Sequence, residues 1–179
     1  MNLKRYLLGL TIFAVAVFGL AGCGTGEKTA SNVWRVGTDA SYAPFGFQDE
    51  KSHEYVGFDI DIIRAIAETQ GHEVAIKNLN FDGLIPALQT GDLDIAISDM
   101  TINEERAKTV DFTDSYYKAG LSMVVRADET RINSFDDLEG LRIGVTIGST
   151  GAEAARGIPN ADLHEFSTIS DAFLDLYNG

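Results

Sequence analysis

Short apolar runs alternate with helix-length amphipathic segments along residues 33–97, and that alternation limits the fold more than any other feature of the chain. Residues 33–38 and 74–77 read as strands, and Leu93-Asp-Ile-Ala-Ile97 as a third. Residues 58–67 place Ile62, Ile63, Ile66 and Ala67 on one helical face, with Gly71 as the stop. Asp82 is positioned to cap a second helix running to Gln89, where Pro86 sits early enough for its missing N–H to be tolerated. Strands and helices alternating at this spacing imply a mostly parallel, doubly wound α/β sheet.

Residues 103–109 then predict a short helix and residues 120–126 an apolar strand. Ser134-Phe-Asp-Asp137 has the form of a capping box before a brief helix that ends at Gly140. A second βα series follows, with strands at 142–146 and 163–166 and helices at 151–156 and 170–177. Residues 118–131 are therefore expected to cross from one series to the other.

The N-terminus carries a different signal. Lys4 and Arg5 precede an apolar run over residues 7–18, too short for a membrane span, and then comes Leu20-Ala-Gly-Cys23. This is the shape of a lipoprotein signal peptide over residues 1–22, with Cys23 as the lipid-bearing first residue of the mature chain and residues 23–33 as a tether. Stable anchoring needs more than one acyl chain, which a lipidated N-terminal cysteine supplies. Cys23 is the only cysteine, so an exported domain has no disulfide and depends on its core. A formal charge of −13, from 27 acidic and 14 basic residues, argues against nucleic-acid binding. His53, His72 and His164 are too dispersed to suggest a metal site, and no Ser-His-Asp set or phosphate loop is visible; neither a metal nor a cofactor is expected.

Five ordered motifs carry a resemblance: Val36-Gly-Thr-Asp-Ala-Ser-Tyr-Ala-Pro-Phe45, Val56-Gly-Phe-Asp-Ile-Asp61, Asn80-Phe-Asp-Gly-Leu-Ile-Pro-Ala-Leu88, Ser98-Asp-Met-Thr-Ile-Asn-Glu-Glu-Arg106 and Gly144-Val-Thr-Ile-Gly-Ser-Thr150. From about Trp34 onward the chain resembles the polar amino-acid-binding proteins of bacterial ABC importers, above all the glutamine and basic amino-acid binders. The resemblance implies a type II periplasmic-binding-protein clamshell with two doubly wound lobes. Lobe 1 would cover residues 34–122, a hinge and crossover residues 123–131, and a partial lobe 2 residues 132–179. Relatives continue with further lobe 2 strands, an acidic ammonium partner and a returning crossover, so the chain is expected to be C-terminally truncated, with lobe 2 incomplete.

The same resemblance assigns the site. Arg106 would grip the ligand carboxylate with Thr101 beside it; alone, an arginine after two glutamates is an ordinary solvated helix residue. Ser149 and Thr150 lie in a turn opening a helix, where free N–H groups favour an anion, although such a turn is also an ordinary connection. Tyr42 and Phe81 would wall the ligand's aliphatic stem, or else pack in the core. Asp39 would meet side-chain groups of a polar ligand, or cap a turn. Ser98 and Asp99 occupy the stretch that receives the ammonium, and the Asp99 carboxylate either aids a cationic group or faces solvent. Thr146 stands where relatives vary with ligand, leaving ligand identity open. The implied function is capture of a free polar amino acid outside the cytoplasmic membrane and delivery to ABC permease subunits. A periplasmic dehydratase-like enzyme or a sensor module on the same fold is the alternative.

Overall fold

The central strand of the first sheet is β1 (Val33–Thr38), flanked by two parallel neighbours, β5 (Glu73–Asn78) and β6 (Ile95–Ala96). The computed structural model describes residues 32–179; the expected signal peptide, Cys23 and the tether up to Ser31 lie outside the described residues. Asn32–Gly179 form one compact unit.

Side chains alternate across β1, and each face takes a helix. Val36, fully buried, packs with Ile63 of α1 (Phe58–Gln70) and with Ile97. Its neighbour Gly37 faces the other way, where an added Cβ would lie 2.3 Å from Leu93 and 2.9 Å from Leu84 of α2 (Leu84–Gln89). Helices on both faces of a parallel sheet are the doubly wound arrangement. The crossover from β1 to β5 uses α1, and the return from β5 to β6 uses α2, so the chain changes direction between β1 and β6. That places the switch point of the sheet at the carboxyl ends of these two strands, where open α/β sheets bind ligands.

Several expectations need correction. On α1 the expected Ile63 and Ala67 are buried and Ile62 packs against the core, but Ile66 is 43% exposed and Asp59 and Ile60 join the buried stripe instead: the spacing i, i+3, i+7 from Ile60 is equally helical, and the docking angle decides between them. Asp82 does not cap α2, because it lies within a 3-10 turn (Phe81–Gly83) that precedes the helix, and no side chain caps either element. The third strand shortens to two residues, although Asp94 N–H to Arg35 O (2.9 Å) and Ile97 N–H to Gly37 O (3.0 Å) extend its pairing on both sides. Residues 103–109 form only a 3-10 turn (Arg106–Lys108). Residues 120–126 form no strand, since a strand exists through its ladder and no described segment pairs with them.

An antiparallel meander, β2 (Ser41–Tyr42), β3 (Gly46–Gln48) and β4 (Tyr55–Val56), had no counterpart in the sequence reading. Its strands are too short to show alternation. Gly57, at φ +125°, joins it to α1 with its backbone against Phe45 O, a geometry closed to side chains.

The second sheet pairs β7 (Arg142–Thr146) with β8 (Asp162–Phe166) in parallel. Val145 packs against Ala152 and Ala155 of α3 (Thr150–Arg156), and Gly144 approaches Phe166 and Ala172 of α4 (Ile169–Asn178). The capping box at Ser134 and Asp137 forms as expected, before a 3-10 helix (Phe135–Leu138). Ser149 and Thr168 cap α3 and α4 through their side chains.

Candidate functional site

At the switch point, β1 and the exit of β6 are stitched by polar contacts. Asp39 N–H donates to Ser98 Oγ (3.0 Å), and the Asp39 carboxylate accepts from Ser41 Oγ (2.6 Å) and Ser41 N–H (3.1 Å). Asp39 is buried, so the turn role foreseen for it is real; Oδ2 has no part in these bonds. Asp99 follows Ser98 with φ +48°, a left-handed conformation uncommon outside glycine, asparagine and aspartate. Its N–H is shared between Asp59 Oδ2 (2.8 Å) and Tyr116 Oη (3.1 Å), and Tyr116 O–H donates to Asp59 Oδ1 (2.9 Å).

Arg106 sits at the centre. Asn103 Oδ1 accepts its N–H at 2.9 Å, fixing the backbone, and its guanidinium forks outward. Nη1 donates to Thr101 O (2.7 Å) and Nη2 to Gly148 O (2.9 Å), with the ring of Phe81 beneath, 5.4 Å from Cζ to centroid. Partial burial lowers the Arg106 pKa, and the Glu153 carboxylate opposes that shift. The arginine is therefore no solvated helix residue. It spans from the turn after β6 to the turn after β7, tying the two sheets together beside an aromatic wall.

Around the fork, the residues singled out from sequence divide. Thr101, Phe81 and the Gly148 turn meet at Arg106. Thr146 ends β7, and its carbonyl accepts from Ser149 N–H at 3.2 Å. The Ser149 hydroxyl is engaged as the cap of α3, accepting from Ala152 N–H (3.1 Å), and Thr150 is the first residue of that helix. Tyr42 is 45% exposed, stacked at 6.0 Å on Phe45. His72 stacks on Trp34, far along the sheet from this turn, and His164 approaches Asp162 (3.3 Å). Among the described residues no group of three or more metal-type ligands occurs.

Asp59 and Tyr116 escaped the sequence reading. An acidic residue in the first turn of a helix reads as a complement to the helix dipole, yet Asp59 is fully buried. Its place four residues before Ile63 on the apolar stripe was the available signal. Burial pushes the Asp59 carboxyl up, against the two hydrogen bonds that lower it. Asp99 is raised first by its own burial and then by the Asp59 charge. Tyr116 is raised well above an ordinary phenol, by burial above all and then by the charge of Asp59 and the bond to it.

Comparison with known proteins shows the family of the chain. The family described as bacterial extracellular solute-binding proteins, family 3, matches residues 34–178. The arginine-binding extracellular protein ArtP of Bacillus subtilis (strain 168) is 35% identical over 157 residues, covering 86% of this chain and 60% of that protein. An ancestral arginine-binding protein, solved bound to arginine, superposes with a TM-score of 0.81 at 44% identity, over 83% of this chain and 66% of that one. An ancestral amino-acid-binding protein described as a precursor of cyclohexadienyl dehydratase superposes with a TM-score of 0.79 at 43% identity, over the same shares. The chain thus spans less than two thirds of the length of each of these proteins.

Proposed function

Because this chain belongs to the bacterial extracellular solute-binding proteins, family 3, we propose that it captures a free polar amino acid, glutamine or a basic one, and hands it to the membrane subunits of an ABC importer. The observation that carries this reading is the Arg106 fork at the switch point, a half-buried guanidinium beside Phe81 that bridges the two sheets. Both of its present acceptors are neutral carbonyls. A ligand carboxylate is the stronger acceptor for a planar fork, and its arrival would exchange two neutral hydrogen bonds for charge-assisted ones.

In this reading Thr101, Ser149, Thr150 and Thr146 line the carboxylate side. Ser98, Asp99 and Asp39 line the ammonium and side-chain end, and Tyr42 and Phe81 supply the walls. Residues 34–122 act as one lobe, 123–131 as hinge and crossover, and 132–179 as the second-lobe portion, closing by bending at the crossover. The protein acts as a receptor without a catalytic step.

The family is extracellular, which supports an extracytoplasmic location. We place the protein at the membrane surface through lipid on Cys23. Cys23→Ser should release it from membranes on fractionation; a variant that stays wholly with membrane removes the anchor.

A thermal-shift screen of the twenty amino acids against the protein expressed from its gene tests the central reading. A true ligand at a hundredfold excess over Kd stabilises by about 2.7 kcal/mol. Absence of a shift with arginine, lysine, histidine and glutamine alike would overturn it. Turnover of a cyclohexadienyl acid would instead favour an enzyme.

A further inference from the structure

The most buried ionisable group of the described residues is Asp59, engaged outside the Arg106 fork. It contacts neither of the two carbonyls that Arg106 holds. Its two oxygens are instead spent on two segments far apart in sequence: Oδ2 on the N–H of Asp99, in the turn leaving β6, and Oδ1 on the hydroxyl of Tyr116, in the segment leaving the first sheet. Tyr116 Oη also faces the Asp99 N–H at 3.1 Å, closing a three-membered ring of contacts. The Tyr116 ring is held in turn by Phe58 of α1, 6.2 Å between centroids, and the neighbouring Tyr117 packs on Phe45 and Phe58.

Asp99 needs such a hold. At φ +48° it occupies a region that non-glycine residues seldom enter, and such conformations persist where surrounding contacts over-determine them. The flanking residues Ser98 and Thr101 each contribute a contact that depends on this turn keeping its shape: Ser98 Oγ receives the Asp39 N–H, and Thr101 O receives Arg106 Nη1. A relaxed turn would shift both.

We propose that Asp59 and Tyr116 are positioning residues for amino-acid binding: together they clamp the N–H of Asp99, hold the 98–101 turn in its left-handed form, and tie it to the segment through which the chain leaves the first sheet. The clamp rests on the amino-acid-binding reading for its purpose but not for its existence. Burial of the carboxylate, with its raised pKa, shows how little water competes for these bonds. Because Tyr116 lies on the exit segment, movement of that segment is transmitted to the binding turn through one hydroxyl.

Two measurements on Tyr116→Phe and Asp59→Asn test the clamp. Residue-resolved amide hydrogen exchange should show Asp99 exchanging about tenfold faster in Tyr116→Phe, the loss of one ordinary hydrogen bond, with Ile63 and Ala67 in α1 unchanged. Calorimetric titration with arginine or glutamine should show affinity lower by about the same factor, since a turn ordered only on binding lowers apparent affinity by its competent fraction. Asp59→Asn, which keeps an acceptor but adds a donor, should affect the same amide. Exchange at Asp99 within about twofold of wild type in both variants overturns the clamp. Faster exchange with unaltered affinity overturns the positioning role. If the unsubstituted protein binds no amino acid, the binding reading fails, and exchange alone then decides whether the turn is held.

Discussion

Arg106 unites the two halves of the site because one planar group can serve two acceptors at once. Losing it leaves Thr101 O and Gly148 O to water, since both residues are exposed, so only the net value of the hydrogen bonds is lost, about 0.5–1.5 kcal/mol. Arg106→Ala is expected to lower the free energy of unfolding by that amount in denaturant titration and to weaken amino-acid binding by about a hundredfold or more, as for loss of one partner from a desolvated charge pair. Arg106→Lys should recover little of either, because an ammonium lacks the fork. At Asp59 the pH dependence has a definite sign. Its carboxyl titrates higher in the folded chain than in the unfolded one, so its contribution to stability is full below the ordinary carboxylate range and is lost as pH rises through the raised value. The stability of wild type relative to Asp59→Asn should therefore fall as pH is raised from about 4; a flat difference would show that Asp59 titrates normally.

Among the elements, the short helices depend on their caps. Ser149 satisfies the Ala152 N–H at the start of the seven-residue α3, a helix too short to persist on propensity alone. Ser149→Ala should cost about 1 kcal/mol in thermal or chemical unfolding, and Ser149→Asp, which keeps an acceptor, should cost less. The turn ahead of α3 is more demanding. Gly148 lies at φ +72°, and an added Cβ would stand 3.1 Å from Asp82 Cβ, so Gly148→Ala combines backbone strain with a close approach to the 3-10 turn ahead of α2. A loss of about 1–3 kcal/mol is expected, larger than for Gly71→Ala, whose surroundings are open although its φ is also positive.

Over the whole molecule, the three-stranded and two-stranded sheets are joined by residues 111–134, which form no strand or helix. That connection and α4 leave apolar side chains in solvent: Val124 is 60% exposed, Leu174 58% and Tyr177 84%. An open hollow of about 470 Å³ lies among Val124, Arg126, Phe173, Leu176 and Tyr177. Contiguous exposed apolar surface favours association. The purified chain of residues 32–179 is expected to bind a hydrophobic dye and to associate with rising concentration in sedimentation velocity. Leu174→Lys with Tyr177→Lys should suppress both without altering the parallel pairing of β7 and β8.

Local pattern by itself determined the parts whose energetics are local. The helical period of residues 58–70, the stop at Gly71, the capping box at Ser134 and the alternation of strands with helices all follow from interactions within a few residues. The motifs likewise identified Arg106, Thr101 and Phe81, which do meet. Pairing and burial were decided by tertiary structure. The apolar residues 120–126 carry strand propensity and form none, for want of a neighbour to accept their hydrogen bonds. The buried stripe of α1 was settled by how the helix docks, with Ile63 packed on Val36, Ile60 fully buried and Ile66 left 43% exposed. Asp59 looked like a solvated first-turn acid, and only the arrival of Tyr116 and Asp99, 57 and 40 residues further on, made its burial tolerable. A carboxylate's partners at such separations leave no trace in its local sequence, because hydrogen bonds are made in space.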